Sequence, residues 1–191
     1  VAEEVPLDRI RSIAREDEPA RAGLATDMKA LGLDGLLVPE RGGGSGLGVL
    51  EAALVQECLG YGIVPSGFLS NSVAAYALRD SGAPLQNSMA GGNVSFGMAL
   101  NDYASRRDGS GLSIHDETVS GMSMMAMNAR EASHILFFAE SAIHVGELSR
   151  METVQTIDRT REFSKISLGS FDNSVQTLDA GRVFAVACVL M

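Results

Sequence analysis

A single change of period most constrains what this chain can fold into. Through about residue 90 the apolar residues recur at three- and four-residue spacing, as on one face of a helix. From about residue 92 they alternate one by one with polar residues, as on a strand. All five prolines fall at or before Pro84, so the punctuation of the chain changes at the same place. The pattern predicts an α+β fold, with a helical part before a strand-rich part and a junction near residue 91.

In the first part, Leu24, Met28 and Leu31 share one helical face, and Gly32 stands where a left-handed helix stop belongs. Leu50, Leu54 and Cys58, with Val55 and Leu59 beside them, make a wide apolar stripe ending at Gly60 and Gly62. A helix buried on most sides is expected there. Ser70 to Leu78 repeats the pattern through Val73, Ala74 and Ala77. Between the first two helices, the run from Leu36 to Gly48 is rich in glycines, which permit backbone angles closed to other residues.

In the second part, Val94, Phe96, Met98 and Leu100 alternate with Asn93, Ser95, Gly97 and Ala99, predicting a strand with one face in a core. Further strands are expected at 112–115, 135–139, 153–157 and 166–168, which together suggest a small β-barrel or sandwich. After Asp172 the helical period returns, with Asn173 or Ser174 as N-cap, and runs to Met191. The expected units are therefore residues 1–91, 92–171 and 172–191. The last apolar run, from Ala185 to Met191, carries no stop signal. Either the sequence is a fragment or a partner covers its end.

Composition narrows the function. A net charge of -9 and a pI near 4.8 argue against a nucleic-acid or anionic-membrane surface, which needs clustered Lys and Arg. With 191 residues, 46% of them hydrophobic, the chain can build a substantial core. No apolar run is long enough to span a membrane, and the first residues lack a secretory pattern, so a cytoplasmic location is expected. Cys58 and Cys188 sit singly in apolar segments and are expected to be buried thiols in a reducing compartment. His115, His134 and His144 have no neighbouring Cys or patterned carboxylate, so no metal site is expected.

The order of these features carries a family resemblance. It runs from Ala30-Leu31-Gly32-Leu33 through Val38-Pro39-Glu40 and the glycines to Gly48. Next comes the helix Glu51 to Gly60, followed by Ser120-Gly121, Ala132 to Leu136 and Thr156-Ile157-Asp158-Arg159-Thr160-Arg161. The chain resembles the acyl-CoA dehydrogenases over nearly its whole length. The resemblance implies the family's N-terminal helical domain and middle β domain, followed by the first helix of a C-terminal helical bundle. It also implies FAD, an acyl-CoA substrate and α,β-dehydrogenation of the thioester, with assembly as a homo-oligomer or with a related subunit.

In that chemistry a carboxylate takes the α proton and the flavin accepts the β hydride. The resemblance places the carboxylate in helices beyond those represented here, and no catalytic residue is assigned in this chain. The family's flavin motif aligns with Asn101 to Asp108 and keeps only the final Asp. Asn101 can donate to the ring, and Arg107, beside Arg106, can pair with the pyrophosphate. These arginines can equally obstruct it, or stand solvated in a turn. The second flavin segment aligns with Gly121 to Asn128. Met125 and Met127 replace the family's Trp and Thr there, and Asn128 is retained. Methionine can line a ring edge, although the plainer account is that these methionines pack a core or interface. Two further readings follow from the altered motifs: a non-catalytic partner or scaffold without flavin, and a cofactor-free acyl-CoA pocket.

Overall fold

The computed structural model describes residues 5–81, 83–99, 111–115, 118–139, 142–171 and 179–191. Five helices come first: α1 (Leu7–Ala14), α2 (Glu18–Ala30), α3 (Val49–Tyr61), α4 (Phe68–Ala77) and α5 (Ala83–Ala90). Six strands follow: β1 (Phe96–Ala99), β2 (Gly111–His115), β3 (Thr118–Met127), β4 (His134–Ala139), β5 (Ala142–Val154) and β6 (Phe163–Phe171). A sixth helix, α6 (Ala180–Leu190), closes the described chain. The α+β class expected from the period change is the class observed.

Helix starts follow their caps. Asp17 accepts the N–H of Ala20 at the head of α2, and Asp179 accepts that of Arg182 at the head of α6. Asn173 and Ser174, the expected caps, lie outside the described residues. Gly32 ends α2 with φ 71°, as its position predicted. The glycine run folds back along the preceding segment, with Ser45, Gly46 and Leu47 donating to the carbonyls of Gly35, Val38 and Leu36. Gly44 is required by that approach, since a Cβ there would lie 2.2 Å from the Val38 carbonyl oxygen.

The strands form a closed ring in the order β1-β4-β5-β6-β3, sealed by the antiparallel pair Met98 and Met127, with β2 hydrogen-bonded along the outer half of β3. Among the described strands only β1 and β4 run parallel. On β4 the side chains of Ile135 and Phe137 fill the barrel, while Leu136 and Phe138 face the helices. Both faces are dry, so this strand shows no polar alternation. The same holds for β1, whose four residues are all buried where only one covered face was expected.

Other expectations need correction. Of the strand expected at 153–157, only Thr153 and Val154 are extended, as the last two residues of the much longer β5, and 155–157 lie beyond its end. On α3, the stripe is not buried on most sides: Ala52 and Leu59 are buried, while Leu50 is 70% and Leu54 54% exposed. Ala52 and Leu59, rather than Leu50 and Leu54, face the core. Cys58 and Cys188 are both exposed, not buried, because each falls on the outer side of its helix.

Every residue of α4 is buried. This helix lies between α3, α6 and β1, and Arg182 of α6 donates to its Tyr76 hydroxyl at 2.7 Å. No helix among the described residues is long and apolar enough to cross a membrane.

Candidate functional site

The strand directions bring five chain segments to one end of the barrel. The starts of β1, β4 and β6 and the ends of β3 and β5 all lie there. Facing this end are α2, the C-terminal turn of α3 and the first turn of α4. Between them lies a cavity of about 610 Å³, within the usual range for small-molecule sites.

Its apolar lining comes from Leu24 and Met28 of α2, Leu59 of α3, Phe68 of α4 and Phe96 and Met127 of the barrel. All six are buried, so this part of the wall is firmly packed. Asn128 follows Met127 in a left-handed conformation, φ 53°. Its Oδ1 accepts the Ser70 hydroxyl at 2.9 Å, and its Nδ2 donates to the Ser66 carbonyl at 3.2 Å. A second amide spans the same junction. Asn71 donates to Asp34 at 2.9 Å and accepts the Phe96 N–H at 2.8 Å.

The charged lining is paired within the protein. Arg21 lies 3.9 Å from Glu131 and 3.7 Å from Glu162, and the Arg130 N–H donates to Glu162 at 3.0 Å. Burial raises the Glu162 carboxyl above its ordinary range, and the nearby Arg21 charge opposes that shift. Lys29 donates to the Gly92 carbonyl and to Asn93. Asp158 is held below the usual range, chiefly because the Thr160 hydroxyl donates to it, with partial burial opposing. The apolar floor suits an apolar group, while at the charged rim the buried Arg21 Nε has no hydrogen-bond partner and Lys29 bonds only to neutral acceptors.

Two of the four residues expected at a flavin, Met127 and Asn128, stand together on this wall. Asn101 and Arg107, the other two, lie outside the described residues. An amide has two N–H groups and two acceptor positions, so Asn128 keeps one of each after its bonds to Ser70 and Ser66. Together with the Met127 side chain, it fits the edge of an apolar ring. Of the other methionines, Met124 is 48% exposed, whereas Met122 and Met125 are half-buried.

Sequence reasoning did not single out Ser66, Ser70, Asn71, Arg21 or Glu162. A signal was present for two of them: Ser70 and Asn71 interrupt an otherwise apolar helix, and buried polar groups need partners. Among the described residues no cluster of His, Cys, Asp and Glu is arranged to hold a metal ion.

Comparison with known proteins agrees with this architecture. The acyl-CoA dehydrogenase N-terminal domain matches residues 1–89. No curated protein sequence gives a significant match. Among solved structures, the Tcur3481-Tcur3483 steroid ACAD superposes with a TM-score of 0.73 at 18% identity, covering 97% of this chain and 56% of that one. The acyl-CoA dehydrogenase complexed with FAD from Bacillus anthracis gives 0.69 at 16% identity, covering 99% of this chain and 38% of that one. The ChsE4-ChsE5 complex from Mycobacterium tuberculosis gives 0.65 at 19% identity, covering 87% and 50%. This chain thus spans between 38% and 56% of the length of those three chains. The helical part, residues 1–89, thus matches the acyl-CoA dehydrogenase N-terminal domain, and helices and barrel together share the fold of these solved structures.

Proposed function

We propose that the chain is a subunit of an FAD-dependent acyl-CoA dehydrogenase, receiving the acyl part of a thioester in the cavity between α2, α3, α4 and the barrel end. The observation that carries this reading is the position of Met127 and Asn128 on the wall of a cavity of about 610 Å³ that has an apolar floor and a charged rim. When bound, the flavin would accept the hydride that leaves the β carbon.

The chain's own residues act by shaping and excluding. Leu24, Met28, Leu59 and Phe68 desolvate the acyl chain. Met127 and the remaining Asn128 N–H meet the ring edge, and Ser70 and Ser66 hold that amide in place. Asn101 and Arg107 are proposed to meet the ring and the pyrophosphate. The base that removes the α proton comes from outside these residues. The subunit is proposed to be cytoplasmic, to work in a homo-oligomer or beside a related subunit, and to comprise units at 1–91, 92–171 and 172–191.

A second reading is favoured by a specific observation: both polar ends of the Asn128 amide are already engaged within the protein. With Met125 and Met127 in place of Trp and Thr, this suits a partner subunit that keeps the fold without the flavin. Purification with excess FAD followed by desalting separates the two. Flavin absorbance travelling with the protein supports the dehydrogenase reading, and a colourless protein overturns it in favour of the partner. Titration with acyl-CoA thioesters then tests the cavity, since a scaffold shows no saturable binding.

A further inference from the structure

Helices α1, α3 and α5 stop with the same two-bond turn and α2 with one of its bonds, and in each one residue takes a left-handed backbone. In chain order that residue is Glu16 (φ 66°), Gly32 (φ 71°), Ile63 (φ 53°) and Gly92 (φ 59°). At α3 the two bonds of the turn are Val64 N–H to Leu59 oxygen, 2.9 Å, and Ile63 N–H to Gly60 oxygen, 3.0 Å. Gly62 stands one residue too early to serve, with φ -79°. A β-branched side chain therefore occupies the position where glycine is free of strain, and branching makes this conformation harder still.

Packing does not explain that choice. Ile63 is 52% exposed and forms no part of the buried core, so its burial offsets little of the strain. Its location is informative: Ile63 lines the cavity, flanked by Leu59 and Val64. The other strained residue on the cavity wall, Asn128, is of a type that tolerates the left-handed region and is held by Ser66 and Ser70. Ile63 has no such support. Local strain kept at a cavity wall points to a role for the side chain that causes it.

We propose that Ile63 is the specificity-determining residue of the cavity, its branched side chain limiting the bulk of the acyl group admitted. The inference rests on the acyl-thioester reading above. A cavity walled here by Leu59, Ile63 and Val64 selects by shape, because none of the three offers a hydrogen bond. Narrow, unbranched acyl groups pass the branched side chain, while ring-bearing or branched ones meet it.

The test compares the protein with its Ile63→Gly and Ile63→Ala variants. Thermal melting is measured for each, and calorimetric titration is run with butyryl-CoA and cyclohexanecarbonyl-CoA. The expected result is a Gly variant melting at or above the unsubstituted protein. Both variants are expected to gain at least tenfold in the affinity ratio of the cyclic over the straight-chain thioester. If the unsubstituted protein binds thioester and the ratio stays unchanged in both variants, the inference falls while the functional reading stands. A Gly variant that unfolds at lower temperature overturns the strain argument and the inference with it. If the unsubstituted protein binds neither thioester, the functional reading itself has failed.

Discussion

Asn71 Oδ1 accepts the backbone N–H of Phe96 at 2.8 Å, so a helix side chain satisfies the first residue of a barrel strand. Its amide nitrogen donates at the same time to Asp34. One side chain thus joins α4, the turn after α2 and β1, three of the elements that frame the cavity. Asn71→Leu leaves a buried N–H and a carboxylate unpaired and should cost about 1–3 kcal/mol. Urea denaturation of the variant measures it.

Asn128 combines a backbone demand with a side-chain one. Asn128→Gly keeps the left-handed corner and loses the bonds to Ser70 and Ser66. Asn128→Ala loses both the bonds and the favourable backbone. The Ala variant is therefore expected to be less stable than the Gly variant by about 1 kcal/mol. Parallel denaturation curves decide this, and equal midpoints would contradict the assignment of strain.

Glu162 and Asp158 bend the stability curve in opposite directions. Burial raises Glu162, so its favourable contribution is complete at low pH and is lost as pH rises from the ordinary glutamate range through the raised value. Asp158 is lowered, so its contribution is complete above the ordinary aspartate range and is lost as pH falls through the lowered value. Melting temperatures from pH 3 to 8 should show Glu162→Gln flattening the rise-side loss and Asp158→Asn flattening the acid-side loss. Identical pH profiles for the unsubstituted and substituted proteins would refute both assignments.

Both thiols are open to solvent. Native protein is expected to react with Ellman's reagent at Cys58 and Cys188 without denaturant, giving two thiols per chain. A slow reaction that needs denaturant would restore the buried reading.

Gly44→Ala places a methyl group 2.2 Å from the Val38 carbonyl oxygen and 2.7 Å from that of Gly35, both backbone atoms that cannot swing aside. The expected loss is about 3 kcal/mol or more, at the severe end for single substitutions. Calorimetric melting of that variant provides the measurement.

How much of this was legible depended on whether the signal is local. The stop at Gly32 was readable because a left-handed residue has one obvious occupant. The stop at Ile63 was not, since two glycines nearby drew the expectation and the hydrogen-bond geometry chose a third position. Met127 and Asn128 were found by resemblance and do line the cavity, whereas Arg21 and Glu162 become neighbours only when α2 meets the β5–β6 connection. Pairings between residues so far apart leave no mark on either segment alone.

The order of residues by itself determined the change from helix to strand, the class of the fold and the match of residues 1–89 to the acyl-CoA dehydrogenase N-terminal domain, because periodicity and turn chemistry act within a few neighbours. Only the tertiary structure decided which faces are buried, that Leu50 and Leu54 of α3 stay outside while Ala52 and Leu59 go in, and that five strand ends gather at one rim. Burial and ring closure are set by the competition of distant surfaces for the same water-free space, and no single segment contains that information.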